Sequence, residues 1–358
     1  MRIFFFLFIY VFLSCNTNNS IKLSIKDKII IPKHYVVSKT DGEIKIDGKD
    51  NEIEWNKALY SDDFIDIEGI KIPNQQTNVK MLWNDHYLYV FAKLYEKHIW
   101  GDITKRDDVI YYNNDFEVFI NPNDNVFSYG ELEINALGTE WDLYLNRPYR
   151  LKGKADNSWD IKGLKSAVYI NGTLNDSSDV DKYWTVEIAI PLDEINALKD
   201  SNKKTKIEYG DIWRINFSRV NWDFDLNNGV YSRKKINGKF LPEYNWVWSP
   251  QGIINMHVPE NWGFLIFSER HFEYELPQNI TTEQTLYTLF REIAFGSLKE
   301  LKQEEIGYYT QFEEIELNNL KISCNFLKTK KGFEINASDG NINLFIDQSG
   351  KIKKLNHD

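Results

Sequence analysis

The chain has 358 residues, 42% hydrophobic and 15% aromatic, with 11 Trp and 20 Tyr: more than one average domain and ample material for a core. Its formal net charge of −10, unbroken by any basic stripe, excludes the clustered Lys and Arg on which nucleic-acid binding rests. Two cysteines and six scattered histidines leave no thiolate zinc site and no histidine metal constellation.

The N-terminus pairs Arg2 with an apolar run from Ile3 to Leu13, the length of a signal-peptide core and too short for a transmembrane helix. Cys15 after "VFLS" resembles the lipidated cysteine of bacterial lipoprotein signals, so residues 1–15 are expected to be a leader and the mature protein exported and membrane-anchored, periplasmic or on the cell surface. Cys324 then has no disulfide partner and reads as an inert buried thiol. Residues 16–34, rich in Asn, Ser and Lys, read as a tether.

From residue 35 to 268 short alternating stretches dominate, separated by turn residues such as Asn84-Asp85 and Gly210-Asp211. The expected fold is all-β, an antiparallel β-sandwich of jelly-roll or immunoglobulin type. "GEIKIDG" is read as one strand and "PLDEINAL" as one helical turn. In residues 269–358, a capping box at Thr281 and Gln284 opens a helix carrying Leu286, Leu289, Phe290 and Ile293. Two Gly-containing turns then mark a small β-meander, giving a C-terminal helix-and-meander appendage.

Within "YYNNDFEVFINPNDN", alternation places Phe116, Val118 and Ile120 on one face, and Asp115, Glu117 and Phe119 on the other. In "YGELEINALGTEWDLYL", Leu132 and Ile134 oppose Glu131, Glu133 and Asn135. If these strands neighbour each other, Glu117 and Glu133 approach on one face, and like charges there require a cation, an arginine, a ligand or a shared proton. A solvated face with charges out of register is the plain alternative. Arg219 in "NFSRVNW" lies on the side of Ile215 and Phe217 and is expected to neutralise Glu117 or Glu133. Trp55, Trp83, Trp213 and Trp262 read as core, while Trp222, Trp246 and Trp248, near loop ends, read as candidate platforms. The loop residues Asn121, Asn123 and Asp124 offer hard oxygen ligands for calcium.

In running order "KIDGKDNEIEWNKAL", "VKMLWNDHYLYVFAKLYE", "DFEVFINP", "YGELEINALGTEWD", "YWTVEIAIPL", "GDIWRINFSRVNW" and "NWVWSPQGIINMHVPENWGFLIF" resemble carbohydrate-binding module family 9, a β-sandwich of the DOMON-like group. The resemblance implies a sugar clamped between two aromatic rings, with Tyr112 as the first, Glu117 as an acidic hydrogen-bonding residue and Asn135 as an amide. It also implies a structural calcium. Glu133 stands where a basic residue is expected, and no Trp occupies the second clamp position near Asn255 to His257, for which Trp246, Trp248 or His257 are substitutes. The implied function is a non-catalytic lipoprotein binding polysaccharide or oligosaccharide in carbohydrate catabolism, with polysaccharide-utilisation partners at the outer membrane. Two alternatives stand beside it: a xylanase-like glycoside hydrolase using Glu117 and Glu133, and a haem-binding DOMON domain with Met81, Met256 or His257 as axial ligands.

Overall fold

The structure, a computed structural model, describes residues 21–199 and 206–354. The apolar leader and Cys15 lie outside the described residues.

The alternating segments form β1 (His34–Lys39), β2 (Thr77–Trp83), β3 (Tyr87–Tyr95), β4 (Asp115–Asn121), β5 (Tyr129–Asn135), β6 (Glu140–Leu145), β7 (Lys165–Asn171), β8 (Tyr183–Pro191), β9 (Ile212–Asn221), β10 (Tyr244–Val247) and β11 (Gly263–Ser268). They join one mostly antiparallel sheet in the order β6-β5-β4-β9-β11-β1-β2-β3-β8-β7, with β10 branching from β9. Only β1 pairs in parallel among these strands, with β11 on one side and β2 on the other. The sheet curls so that Phe116, Ile134 and Phe217 from one half meet Val90, Trp184 and Ile188 from the other in a shared core. The β-sandwich expectation therefore holds. Each such fully buried large side chain contributes roughly 1.5–3 kcal/mol through apolar burial. Trp55, Trp83, Trp213 and Trp262 are all buried, as expected.

"GEIKIDG" is not a strand. Its end is a turn whose Asp47 and Gly48 amides both donate to Oε2 of the buried Glu187. Gly48 has φ +83°, and a Cβ there would stand 2.7 Å from the Tyr169 backbone nitrogen, so only glycine fits. "PLDEINAL" does supply a short helix, α1 (Leu192–Asn196).

The C-terminal part has its own apolar cluster. α2 (Asn279–Ala294) packs Leu286, Leu289, Phe290 and Ile293 against a meander of β12 (Leu320–Thr329), β13 (Gly332–Ser338) and β14 (Asn343–Asp347). Cys324 is buried there, and burial pushes its thiol up to about 12, consistent with an inert side chain. Residues 21–29, read from sequence as tether, contribute to this cluster: Ile25 is 1% exposed and Ile21 bridges to Phe312. The expected capping box does not form. α2 starts two residues before Thr281 without a side-chain cap, and the Gln284 amide donates instead to the Glu260 carbonyl at 2.7 Å.

That contact belongs to a buried polar junction between α2 and the sandwich. The Glu260 carboxylate accepts from Arg150 at 2.6 and 2.8 Å and from Arg291 of α2 at 2.8 Å. Arg214 of β9 donates to the Glu260 carbonyl and, at 2.6 Å, to Glu283 of α2. One face of α2 thus meets the meander through carbon, and another meets the sandwich through charge.

Candidate functional site

The face of β4 and β5 opposite the core carries an unusual floor. β4 pairs antiparallel with β5 so that Glu117 stands opposite Glu133, Phe119 opposite Glu131 and Asp115 opposite Asn135. β9 on the other side sets Ser218 against Glu117 and Val220 against Asp115. Directly opposed residues share a sheet face, so strand register alone gathers four carboxylates. All are buried, Asp115 completely. They underlie a cavity of about 440 Å³ lined by Glu117, Glu131 and Glu133, with Glu243 at its side and no lysine or arginine among the lining residues.

Burial, followed by mutual repulsion, raises the Asp115, Glu131 and Glu133 carboxyls well above the usual range. Glu117 is pushed up to about 7 by burial, offset in part by the Ser218 hydroxyl beside it. Protein donors serve these groups sparsely. Tyr111 N donates to Glu133 at 2.9 Å and Val220 N to Asp115 at 3.3 Å. Asp115 Oδ2 and Glu131 Oε2 are buried without a hydrogen-bond partner.

Aromatic side chains stand at both ends of this floor. At the Glu133 end, Trp141 is the cross-strand neighbour of Glu133 and stacks with Tyr111, ring centroids 6.3 Å apart. At the Glu131 end, His257 lies 3.9 Å from Glu131 and is met edge-on by Tyr149 at 4.5 Å. Burial and then Arg150 lower His257 to about 4, so its imidazole is neutral at pH 7, with Nδ1 3.0 Å from the Tyr129 hydroxyl.

Glu117, Glu133 and His257 thus line one cavity, with Asp115 on the same sheet face. Several other expectations are corrected. Tyr112 does not line this cavity: Arg233 lies 4.1 Å above its ring, and the adjacent Tyr111 takes the wall. Asn135 is fully buried and spends its amide on the Ile103 carbonyl and the turn amides of Leu137 and Thr139. Arg219 points into the core, away from the acidic floor, and pairs with Glu96 at 3.1 Å between the two halves of the sheet. Trp246 and Trp248 are core residues, and Trp222 is buried with its indole N–H donating to the Tyr111 carbonyl, so none is a platform. Met81 lies in the core while Met256 adjoins His257 in the cavity wall, so the axial pair expected for haem does not assemble.

The calcium loop does not fit a cation. Asn121 Oδ1 accepts from Asn123 N and Nδ2, and the Asn121 amide donates to the Asn125 carbonyl. That closes the turn on itself and leaves Asp124 exposed. Two acidic groups, Asp107 with Asp142 and Asp160, and Asp115 with Glu117 and Glu133, do place carboxylate oxygens within 4.8 Å of one another. In the first, Arg106 already pairs with Asp142 and Glu140 and lies 3.5 Å from Asp160. Among the described residues, no Lys or Arg pairs with the second.

Tyr111, Trp141 and Tyr149 were not singled out from sequence, and Glu131 was placed only on the acidic face. Trp141 was within reach, because alternation through "EWDLYL" puts it on the face of Leu143 and Leu145. Tyr111 was not, since a 3-10 turn at Ile110–Tyr112 breaks the strand period just before β4.

No family model matches the chain, and no curated protein matches it. Among solved structures it is similar to a carbohydrate binding module family 9 from Caldicellulosiruptor kristjanssonii in complex with cellotriose, with a TM-score of 0.44, 17% identity and coverage of 69% of this chain and 100% of that one. A carbohydrate binding module family 9 from the same organism in complex with glucose gives 0.44, 18%, 68% and 100%. A putative carbohydrate-binding protein from Bacteroides uniformis ATCC 8492 gives 0.48, 14%, 66% and 99%. The chain is distantly similar in structure to carbohydrate-binding module family proteins.

Proposed function

We propose that the cavity over β4 and β5 binds a saccharide unit of a polysaccharide or oligosaccharide without hydrolysing it. The observation that carries this reading is the pairing of a carboxylate floor with aromatic groups at both ends, Tyr111 with Trp141 and Tyr149 with His257. Glu131 and Glu133 are two strand positions apart, ~7 Å along the strand. Ring faces cover the axial hydrogens of a pyranose, and carboxylate oxygens take bonds from its hydroxyls.

Binding to a glycan array of plant cell-wall and host polysaccharides tests it. Trp141→Ala and Tyr149→Ala should each weaken binding at least about tenfold, the order of one lost aromatic anchor of ~1.5 kcal/mol or more. Tyr112→Ala should leave it unchanged. Full affinity in Trp141→Ala, with the fold intact, would refute the cavity as the site.

Hydrolysis is the weaker reading. Glu117 and Glu133 stand side by side on one floor, so both approach a sugar from the same side, whereas acid and nucleophile or base must flank the scissile bond. Release of reducing ends from a bound glycan, lost in Glu117→Gln, would reverse that judgement. The leader ending at Cys15 makes the protein an exported lipoprotein in this proposal, presenting the cavity beside the membrane to polysaccharide-utilisation partners. Cys15→Ala should then abolish lipid labelling and release the protein from membranes.

A further inference from the structure

Among the described residues, the acidic floor has no counter-charge of its own. Arg219, the arginine nearest in the sheet, is committed to Glu96 on the opposite face, and Arg150 to Glu260. His257 is buried and bonded through Nδ1 to Tyr129. Yet Asp115, Glu117 and Glu133 converge until an oxygen from each lies within 4.8 Å of the others. That is the span of a calcium shell, in which ligands ~2.4 Å from the ion lie no more than ~5 Å apart.

A second observation points the same way. Glu131, 5% exposed, lines the cavity with Oε2 lacking any hydrogen-bond partner. Asp115 Oδ2, buried at the same floor, also lacks one. Buried polar atoms left unserved by the protein call for an unseen partner, and here those atoms are oxygens. An all-oxygen set suits a hard cation, not zinc or copper. The carboxylates are fixed by strand register, which suits calcium with its variable coordination better than magnesium, which demands a near-ideal octahedron.

We propose that Asp115, Glu117 and Glu133 hold a calcium ion at the base of the cavity, and that vicinal hydroxyls of the bound saccharide complete its coordination. The second half rests on the saccharide reading above. The first half does not. The Glu131 oxygen, one strand pair along, accepts from the same sugar. A cation also explains why an acidic residue is tolerated at position 133, directly opposite Glu117.

The test uses the chain from residue 16 to 358, stripped with EDTA. Calorimetric titration with calcium chloride should show one saturable site and a raised melting temperature, and terbium in its place should luminesce through energy transfer from Trp141 and Tyr111. Glu117→Gln and Glu133→Gln should each weaken calcium about tenfold or more, within the usual range for a disturbed metal site, while Asp160→Asn and Asp124→Asn leave it unchanged. No calcium binding at millimolar concentration by the wild-type chain overturns the proposal without recourse to any variant. Calcium lost in Asp160→Asn but kept in Glu117→Gln overturns it too. Glycan binding repeated with and without EDTA separates the two halves. Sugar binding indifferent to calcium overturns the bridge. A blank array with calcium still bound through Glu117 and Glu133 sinks the saccharide reading and supports the cation site.

Discussion

Replacing Glu260 by Gln should destabilise the protein by about 3–5 kcal/mol at pH 7, the scale of breaking a buried ion pair from one side. Glu260 is fully buried and receives both Arg150 and Arg291 on its carboxylate. Burial by itself would raise its pKa, but Arg150 and then Arg291 outweigh that and hold it at about 2. The neutral amide would leave two partly buried guanidinium groups without a matching charge. Because the folded pKa lies below the unfolded value of 4.5, the stabilisation is complete above pH 4.5 and is lost as pH falls toward 2. The shift corresponds to about 3 kcal/mol. Urea melts of wild type and Glu260→Gln should therefore differ widely at pH 7 and converge only toward pH 2 and below. An equal gap at both pH values would remove the ion pair as the cause. The junction also reaches the cavity: Arg150 donates to the carbonyl of His257 at 2.6 Å, so the variant should loosen the His257 wall as well as α2.

The second large effect lies inside the sandwich. Arg219 and Glu96 are both essentially unexposed, and the guanidinium also donates to the Tyr95 carbonyl, Thr77 and Asn221 while lying 5.0 Å from the Trp246 ring. Glu96 accepts from Asn114 and, at 2.7 Å, from the Trp184 indole. Burial drives Glu96 upward and Arg219 downward, each only partly offset by the other. Desolvation therefore consumes most of the Coulomb gain, and the pair matters chiefly through what its loss leaves behind. Arg219→Leu and Glu96→Gln should each cost about 3 kcal/mol or more. The double variant Arg219→Leu/Glu96→Leu should cost less than the two single losses added together, with a coupling of about 2 kcal/mol. Strict additivity in a denaturant cycle would show that the two groups do not depend on each other.

The faces of β4 and β5 were legible because a strand repeats every two residues. Phe116, Val118 and Ile120 went inward and Glu117 outward by counting alone, and the same count sorted Ile134 from Glu133. A short connection between the two strands then made Glu117 and Glu133 neighbours. Counting also put Arg219 on the core side, which already separated it from the acidic face it was expected to neutralise. Its true partner, Glu96, comes from the end of β3 in the other half of the sheet, and no local pattern announces a contact across the core. Trp222 and Trp248 failed as platforms for a related reason: Trp222 packs with Trp100 and Tyr231, Trp248 joins the sandwich core, and exposure is a property of what covers a residue. Tyr112 and Tyr111 exchanged roles because a single 3-10 turn rotates the chain just before the strand begins.

By itself, then, the sequence determined the sandwich, the helix-and-meander appendage and the acidic character of one sheet face, since these follow from short-range periodicity and turn chemistry. Only the tertiary structure decided which charges stay unpaired and which aromatic rings wall the cavity. It also decided that residues 21–29 and Glu260 join the two parts of the chain. Those outcomes depend on electrostatic and packing partners drawn from distant segments, whose meeting is set by how the whole sheet curls.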